Sequence, residues 1–167
     1  MRGSNSSSRV MSSKRPKRKG CPKGTVPIMK YTSNPIADPK NGVKYYATMA
    51  TNREEGATYH GGTALMGVFS PHLQYLQSSR ANIWVQNGPQ SHLNSIEAGW
   101  AVHEILYNDP YTRLTAYWTA DNFGTTGCYN LVCPGFVQID SSVYLGQSYP
   151  VDPFNRDVIL NFIVERI

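Results

Sequence analysis

Asn94-Ser95-Ile96-Glu97-Ala98-Gly99-Trp100 places a carboxylate where a core strand would carry an apolar side chain. Ile96, Ala98, Trp100 and Val102 alternate with Glu97, Gly99, Ala101 and His103, the two-residue period of a β-strand. On that period Glu97 shares a face with Gly99 and Ala101, two of the smallest side chains, which predicts open space beside the carboxylate. A carboxylate facing a cleft can take or give a proton at a reacting centre. The ordinary reading of a strand glutamate is a solvated face, because Glu is rarely buried unless paired.

Other catalytic chemistries find less support. No Gly-x-Ser-x-Gly nucleophile elbow occurs. Cys128 and Cys133 lie close, with turn residues Asn130, Pro134 and Gly135 between and after them. They read either as a short-loop disulfide or as free thiols in a reducing compartment. The Cys-x4-Cys spacing has no matching Cys or His pair, so no metal site and no cofactor is expected. His60, His72, His92 and His103 show no ligand spacing and read as surface or loop residues. Cys21 is left over, and an odd cysteine in a secreted-type chain points to a missing partner.

The elements that must position Glu97 are strands. Eleven Tyr, three Trp and five Phe, with many Thr and Val, favour them over helices. Candidates are Val43–Thr48, Thr63–Phe69, Ala81–Gln86, Ser95–Leu106, Thr112–Thr119, Gly135–Ile139, Val143–Leu145 and Asp157–Val164. Turn signals fall at Gly61-Gly62, Asn87-Gly88-Pro89, Asn108-Asp109-Pro110 and Asp121-Asn122-Phe123-Gly124. Leu73–Leu76 is the one candidate helical turn. Short strands with regular turns predict an all-β fold, an antiparallel β-sandwich or jelly roll, here in part. Residues 1–20 read as a disordered basic tail and 21–40 as a Pro-rich connector, leaving 41–167 as the folded unit.

The 167 residues have the length of one domain, with room for a sizeable core. The charged fraction is 16%, below the usual ~25%, as in many extracellular β domains. The net charge of +5 owes much to Lys14-Arg15-Pro16-Lys17-Arg18-Lys19. Beyond that tail the charges nearly balance, so no nucleic-acid partner is expected. No apolar run reaches the ~18 residues of a membrane span, and no apolar signal-peptide core is visible near Met1.

Taken in order, several longer segments resemble the neprosin family, plant proteins with a secreted glutamic-peptidase domain. They are Cys21-Pro-Lys-Gly-Thr-Val-Pro27, Ala81-Asn-Ile-Trp-Val85, Asn94-Ser-Ile-Glu-Ala-Gly-Trp100, Arg113-Leu-Thr-Ala-Tyr-Trp-Thr119 and Gly127-Cys-Tyr-Asn-Leu-Val-Cys-Pro-Gly-Phe-Val137. The resemblance implies that Glu97 matches one of two catalytic glutamates, and that Cys128 and Cys133 are disulfide-bonded. It implies that residues 21–40 are the end of a prosegment and 41–167 the first part of the catalytic domain. It further implies secretion, no cofactor, and cleavage of proline-containing peptides after proline at acidic pH. Gly99 and Tyr117 are then the candidates for the substrate cleft, with Trp100 and Trp118 read as core. The family's second glutamate, in a Gly-Gly-Glu context, has no match in the sequence: Glu104 is an odd number of residues from Glu97, and Glu165 is near the end. The expectation is a chain truncated at both ends and inactive alone. The alternative is a non-catalytic β-sandwich module that binds a partner. Neither gives an oligomeric state.

Overall fold

The computed structural model describes residues 21–30, 43–51, 58–149 and 159–165. The predicted tail, the Asn41-Gly42 turn and the start of the last predicted strand lie outside the described residues. The fold is all-β. Strands β2 (Ser78–Asn87), β3 (Asn94–His103), β4 (Thr112–Thr119) and β5 (Cys128–Tyr129) form an antiparallel sheet in that order, and β1 (Gly61–Gly67) pairs with β6 (Ile159–Glu165) in a two-stranded ribbon. A second full sheet, as a sandwich has, is not among the described residues.

The register puts Trp84, Glu97, Tyr117 and Tyr129 in one row across the sheet. Ile83, Trp100, Val102 and Thr112 belong to the opposite face. The chain leaving β1 seals that face. Trp100 Nε1 donates to the Gly67 carbonyl at 2.8 Å and Thr112 Oγ1 to the Phe69 carbonyl at 2.7 Å. Phe69 meets the Trp100 ring edge-on, and Val68 is fully buried. Trp100 is therefore core, as its period suggests.

β4 has the predicted bounds, β2 extends the predicted strand at both ends, and β3 begins one residue before its predicted start. The strand predicted to run to Leu106 instead stops at His103 and becomes a single helical turn, α1 (Glu104–Tyr107). Continued as a strand, Glu104 would share the face of Trp100 and Val102. The helical turn leaves Glu104 exposed and buries Leu106 and Tyr107. Asn108, left-handed at φ 57, closes it with a backbone bond to the Glu104 carbonyl.

Val43–Thr48 forms no strand, and its side chains are exposed. Neither does Gly135–Ile139 or Val143–Leu145. There Gln138 donates to the carbonyls of Asp140 and Val143 and accepts from the Leu145 amide, while Asp140 accepts from Ser142 and Val143. Such local side-chain bonds compete with a ladder. Gly61-Gly62 opens β1 rather than turning the chain. Leu73–Leu76 gives only a reverse turn, with Leu76 at φ 71.

Past β5, the outer edge of β4 is met by irregular chain. Asn130, wholly buried and left-handed at φ 50, donates its backbone N–H to the Ala116 carbonyl and accepts the Ala116 N–H on Oδ1, each at 2.9 Å. Its Nδ2 donates to the Tyr107 hydroxyl. Further on, Leu114 donates to the Gln147 carbonyl, Gly146 to that of Leu114, and Tyr149 to that of Thr112. Cys128 and Cys133 are disulfide-bonded with Cα atoms 6.0 Å apart, inside the usual range, and Cys21 is free and exposed. Gly135 follows that loop onto the Trp118 indole, where a Cβ would stand 2.2 Å from Nε1.

Two measurements check this packing. Asn130→Ala strands the Ala116 amide inside the fold and costs about 1–3 kcal/mol, seen as a Tm lowered by about 3–10 °C; an unchanged Tm would show the amide finds water. Reducing the short disulfide removes about 2 kcal/mol, a fall of about 4–8 °C that a Cys128→Ser, Cys133→Ser double variant reproduces.

Candidate active site

Glu97 is 3% exposed whereas its neighbour Ile96 is 43% exposed. The solvated-face reading of Glu97 is therefore overturned: on this stretch of β3 it is the carboxylate that is enclosed. Ser95 and His103, on the same face, are buried as well. His103, expected at the surface, packs its ring edge-on to Tyr129 with centroids 5.8 Å apart. β5 brings Tyr129 over the end of β3, a long-range pairing that spacing along the chain does not reveal.

The roof over Glu97 is aromatic. Trp84 in β2 and Tyr117 in β4 stand directly across from it. Tyr117 meets Tyr129 edge-on at 4.7 Å and stacks on Phe123 at 5.6 Å. Arg80 Nη1 donates to the Tyr129 hydroxyl, and its guanidinium lies 5.5 Å from that ring's centre. Tyr117, a predicted cleft residue, is thus in the row of Glu97. Gly99 is one pleat along, but the open space expected there is filled. A Cβ at Gly99 would lie 1.9 Å from the Ala81 carbonyl oxygen and 2.7 Å from Asn82 Oδ1. The glycine serves close approach of β2. Asn82 Nδ2 donates to Glu97 Oε2 at 3.1 Å.

Phe123 reaches Tyr117 from a tight loop between β4 and β5. Asn122 and Phe123 are both left-handed, at φ 56 and 62, conformations that cost a non-glycine residue energy. The Asp121 carboxylate offsets this. It accepts from the backbone N–H groups of Gly124, Thr125 and Thr126 and from the hydroxyls of Thr119, Thr125 and Thr126. Those bonds, the Thr126 hydroxyl foremost, hold the Asp121 carboxyl far below the usual carboxylate range. The turn was legible as Asp-Asn-Phe-Gly, but its role as the seat of an aromatic over Glu97 was not.

No group of three or more metal-ligating side chains occurs among the described residues. An apolar cleft lined by Val26, Ile28, Leu131, Val132, Pro134 and Phe136 includes none of the residues in the Glu97 row. The disulfide beside the site fits an oxidising compartment, and no helix among the described residues is long and apolar enough to cross a membrane.

Because the folded Asp121 carboxyl is the more acidic form, its stabilisation is complete above the unfolded value of about 3.9 and fades as pH falls below it. Asp121→Asn is expected to lower Tm at neutral pH, and the gap to the parent to narrow below about pH 4. A gap constant from neutral to strongly acidic pH would show that the charge of Asp121 contributes nothing.

The enclosed glutamate, the tyrosine across from it and the disulfide loop beyond β5 all fall within one stretch that matches a family model. That model, described as Neprosin, covers residues 75–163, more than half of the chain, from just before β2 into β6, and the protein therefore belongs to the neprosin family.

Proposed function

We propose that Glu97 is one of the two carboxylates of a neprosin-type glutamic endopeptidase that cuts proteins and peptides after proline at acidic pH. The observation that carries this reading is the burial of Glu97, at 3% exposure, in a strand whose isoleucine faces out. A fold gains nothing in stability from enclosing a carboxylate that could have been left in water. Membership of the neprosin family supports a peptidase reaction. In that chemistry two carboxylates facing one centre share a proton, because both cannot ionise cheaply. The ionised one takes a proton from the attacking water, and the protonated one assists the departing nitrogen. Glu97 takes one of these roles. The second belongs to a glutamate in the family's Gly-Gly-Glu context, which the 167 residues do not contain.

Tyr117, held between Phe123 and Tyr129, supplies a flat aromatic surface suited to a proline ring. On this reading residues 21–40 are the end of a prosegment and 41–167 the first part of the catalytic domain. The protein is a secreted plant protein needing no metal or cofactor.

The test is cleavage of a proline-containing peptide at acidic pH. The 167-residue chain is expected to show none above background. A longer polypeptide that includes the Gly-Gly-Glu segment is expected to cleave, and Glu97→Gln in it to reduce kcat/KM by about 10²–10⁴-fold. Cleavage that survives Glu97→Gln removes Glu97 from the mechanism. Inactivity of the longer polypeptide, together with retained peptide binding, favours a binding module built on the same sheet.

A further inference from the structure

We propose that Asn82 is a positioning residue for Glu97, and that the lack of a side chain at Gly99, which lets β2 approach closely, also lets the Asn82 amide lie over the sheet and reach the carboxylate. This rests on Glu97 being the reacting group. It goes beyond that assignment by naming what orients it.

Register makes the contact an unusual one. Across the β2–β3 ladder Asn82 is opposite Gly99, while Glu97 is opposite Trp84. Asn82 and Glu97 are diagonal neighbours, which in an antiparallel pair lie about 7–8 Å apart and touch only through side chains that reach along the face. The Asn82 amide does so over Gly99, where a Cβ would be 1.9 Å from the Ala81 carbonyl oxygen and 2.7 Å from Asn82 Oδ1, so that a side chain there would displace both the β2 backbone and the amide. With the space open, Nδ2 donates to Glu97 Oε2 at 3.1 Å. The nitrogen is the atom that faces the carboxylate, because an ionised carboxylate only accepts.

The arrangement is a poor one for packing alone. Asn82 Oδ1 is buried and has no hydrogen-bond partner among the described residues, and the same is true of Thr115 Oγ1 in β4, the other residue opposite Gly99. Buried polar atoms left unmatched are rare and unfavourable. An apolar side chain at position 82 would fill the volume without leaving an acceptor stranded. What asparagine adds is the N–H on Oε2. The terminal torsion of a glutamate is broad, so a fixed donor on one oxygen sets the plane of the carboxylate and thereby the direction of its lone pairs. The other groups on this face that carry charge or titrate are Arg80 in β2, His103 in β3, Tyr117 and Arg113 in β4 and Tyr129 in β5. Asn82 contributes a donor that stays neutral at every pH.

The test reads Glu97 itself and needs no turnover. The 167-residue chain is prepared with 13C-labelled glutamate, the Glu97 carboxyl resonance is assigned by its loss in Glu97→Gln, and it is followed through an acid titration. Removing a donor from the ionised form makes that form harder to reach. Asn82→Leu and Asn82→Ser are therefore expected to move the Glu97 midpoint upward relative to the parent. Asn82→Gln, which retains an amide, is expected to bring it back toward the parent value. If Asn82→Leu fails to fold, Asn82→Ser carries the comparison. The proposal is overturned if the folded Leu or Ser variant titrates like the parent at Glu97, or if Gln shifts it as far as Leu does. A peptide assay cannot substitute for this result. An Asn82-dependent midpoint, with no cleavage by the longer polypeptide that includes the Gly-Gly-Glu segment, sinks the peptidase reading and leaves the positioning role in place, whereas cleavage by that polypeptide with an unmoved midpoint does the reverse.

Discussion

Glu97 is 3% exposed, and a carboxylate withdrawn from water must be met by donors or neutralised, since an unpaired buried charge is among the most costly groups a fold can hold. Much of what surrounds β3 follows from that requirement. β2 supplies an amide rather than a hydrocarbon at position 82. β4 and β5 supply tyrosines, whose rings exclude solvent while their hydroxyls remain able to bond. Gly99 keeps the backbones close enough for the amide to arrive. The opposite face of the same strand is held by the Trp100 ring and its bond to the Gly67 carbonyl, so β3 is fixed from both sides before any chemistry is considered.

A chain of aromatic contacts links the loops to this carboxylate. Asp121 ties the backbone of Gly124, Thr125 and Thr126 into a small knot, the knot holds Phe123 in a left-handed conformation, and Phe123 lies against Tyr117, which stands across from Glu97. On the far side the Cys128–Cys133 bridge secures the short strand that carries Tyr129. The walls of the site therefore depend on loop chemistry rather than on strand propensity: one segment is tied by the Asp121 carboxylate and the next by the disulfide.

How much of this was legible in the sequence differs by element. Thr112–Thr119, rich in Thr and aromatics, emerges with the bounds its composition predicts. The alternation around Glu97 gave the strand and its two faces but assigned the open space wrongly, because the volume beside Gly99 is claimed by β2, a neighbour the local pattern does not contain. Asn130 and His103 were missed for the same reason: each looks like a turn or surface residue until long-range pairing places it, Asn130 against Ala116 and His103 against Tyr129. Gly135–Ile139 has the composition of a strand, yet Gln138 and Asp140 spend the nearby backbone groups on local bonds. Asn82 gave no signal of its own, since only the register reveals that it sits over a glycine.

The way β4 ends the sheet has a consequence for how this protein meets other copies of itself. Open strand edges are templates that invite pairing between molecules. Here the outer edge of β4 is taken up residue by residue: by β5 at Tyr117 and Trp118, by the Asn130 amide at Ala116, and by residues 146–149 at Leu114 and Thr112. None of these pieces is a long strand, and none presents a continuous ladder of its own. The sheet is thus closed to growth on the side that carries the tyrosines. Intermolecular β-addition is therefore disfavoured at the edge where Tyr129 and the disulfide sit.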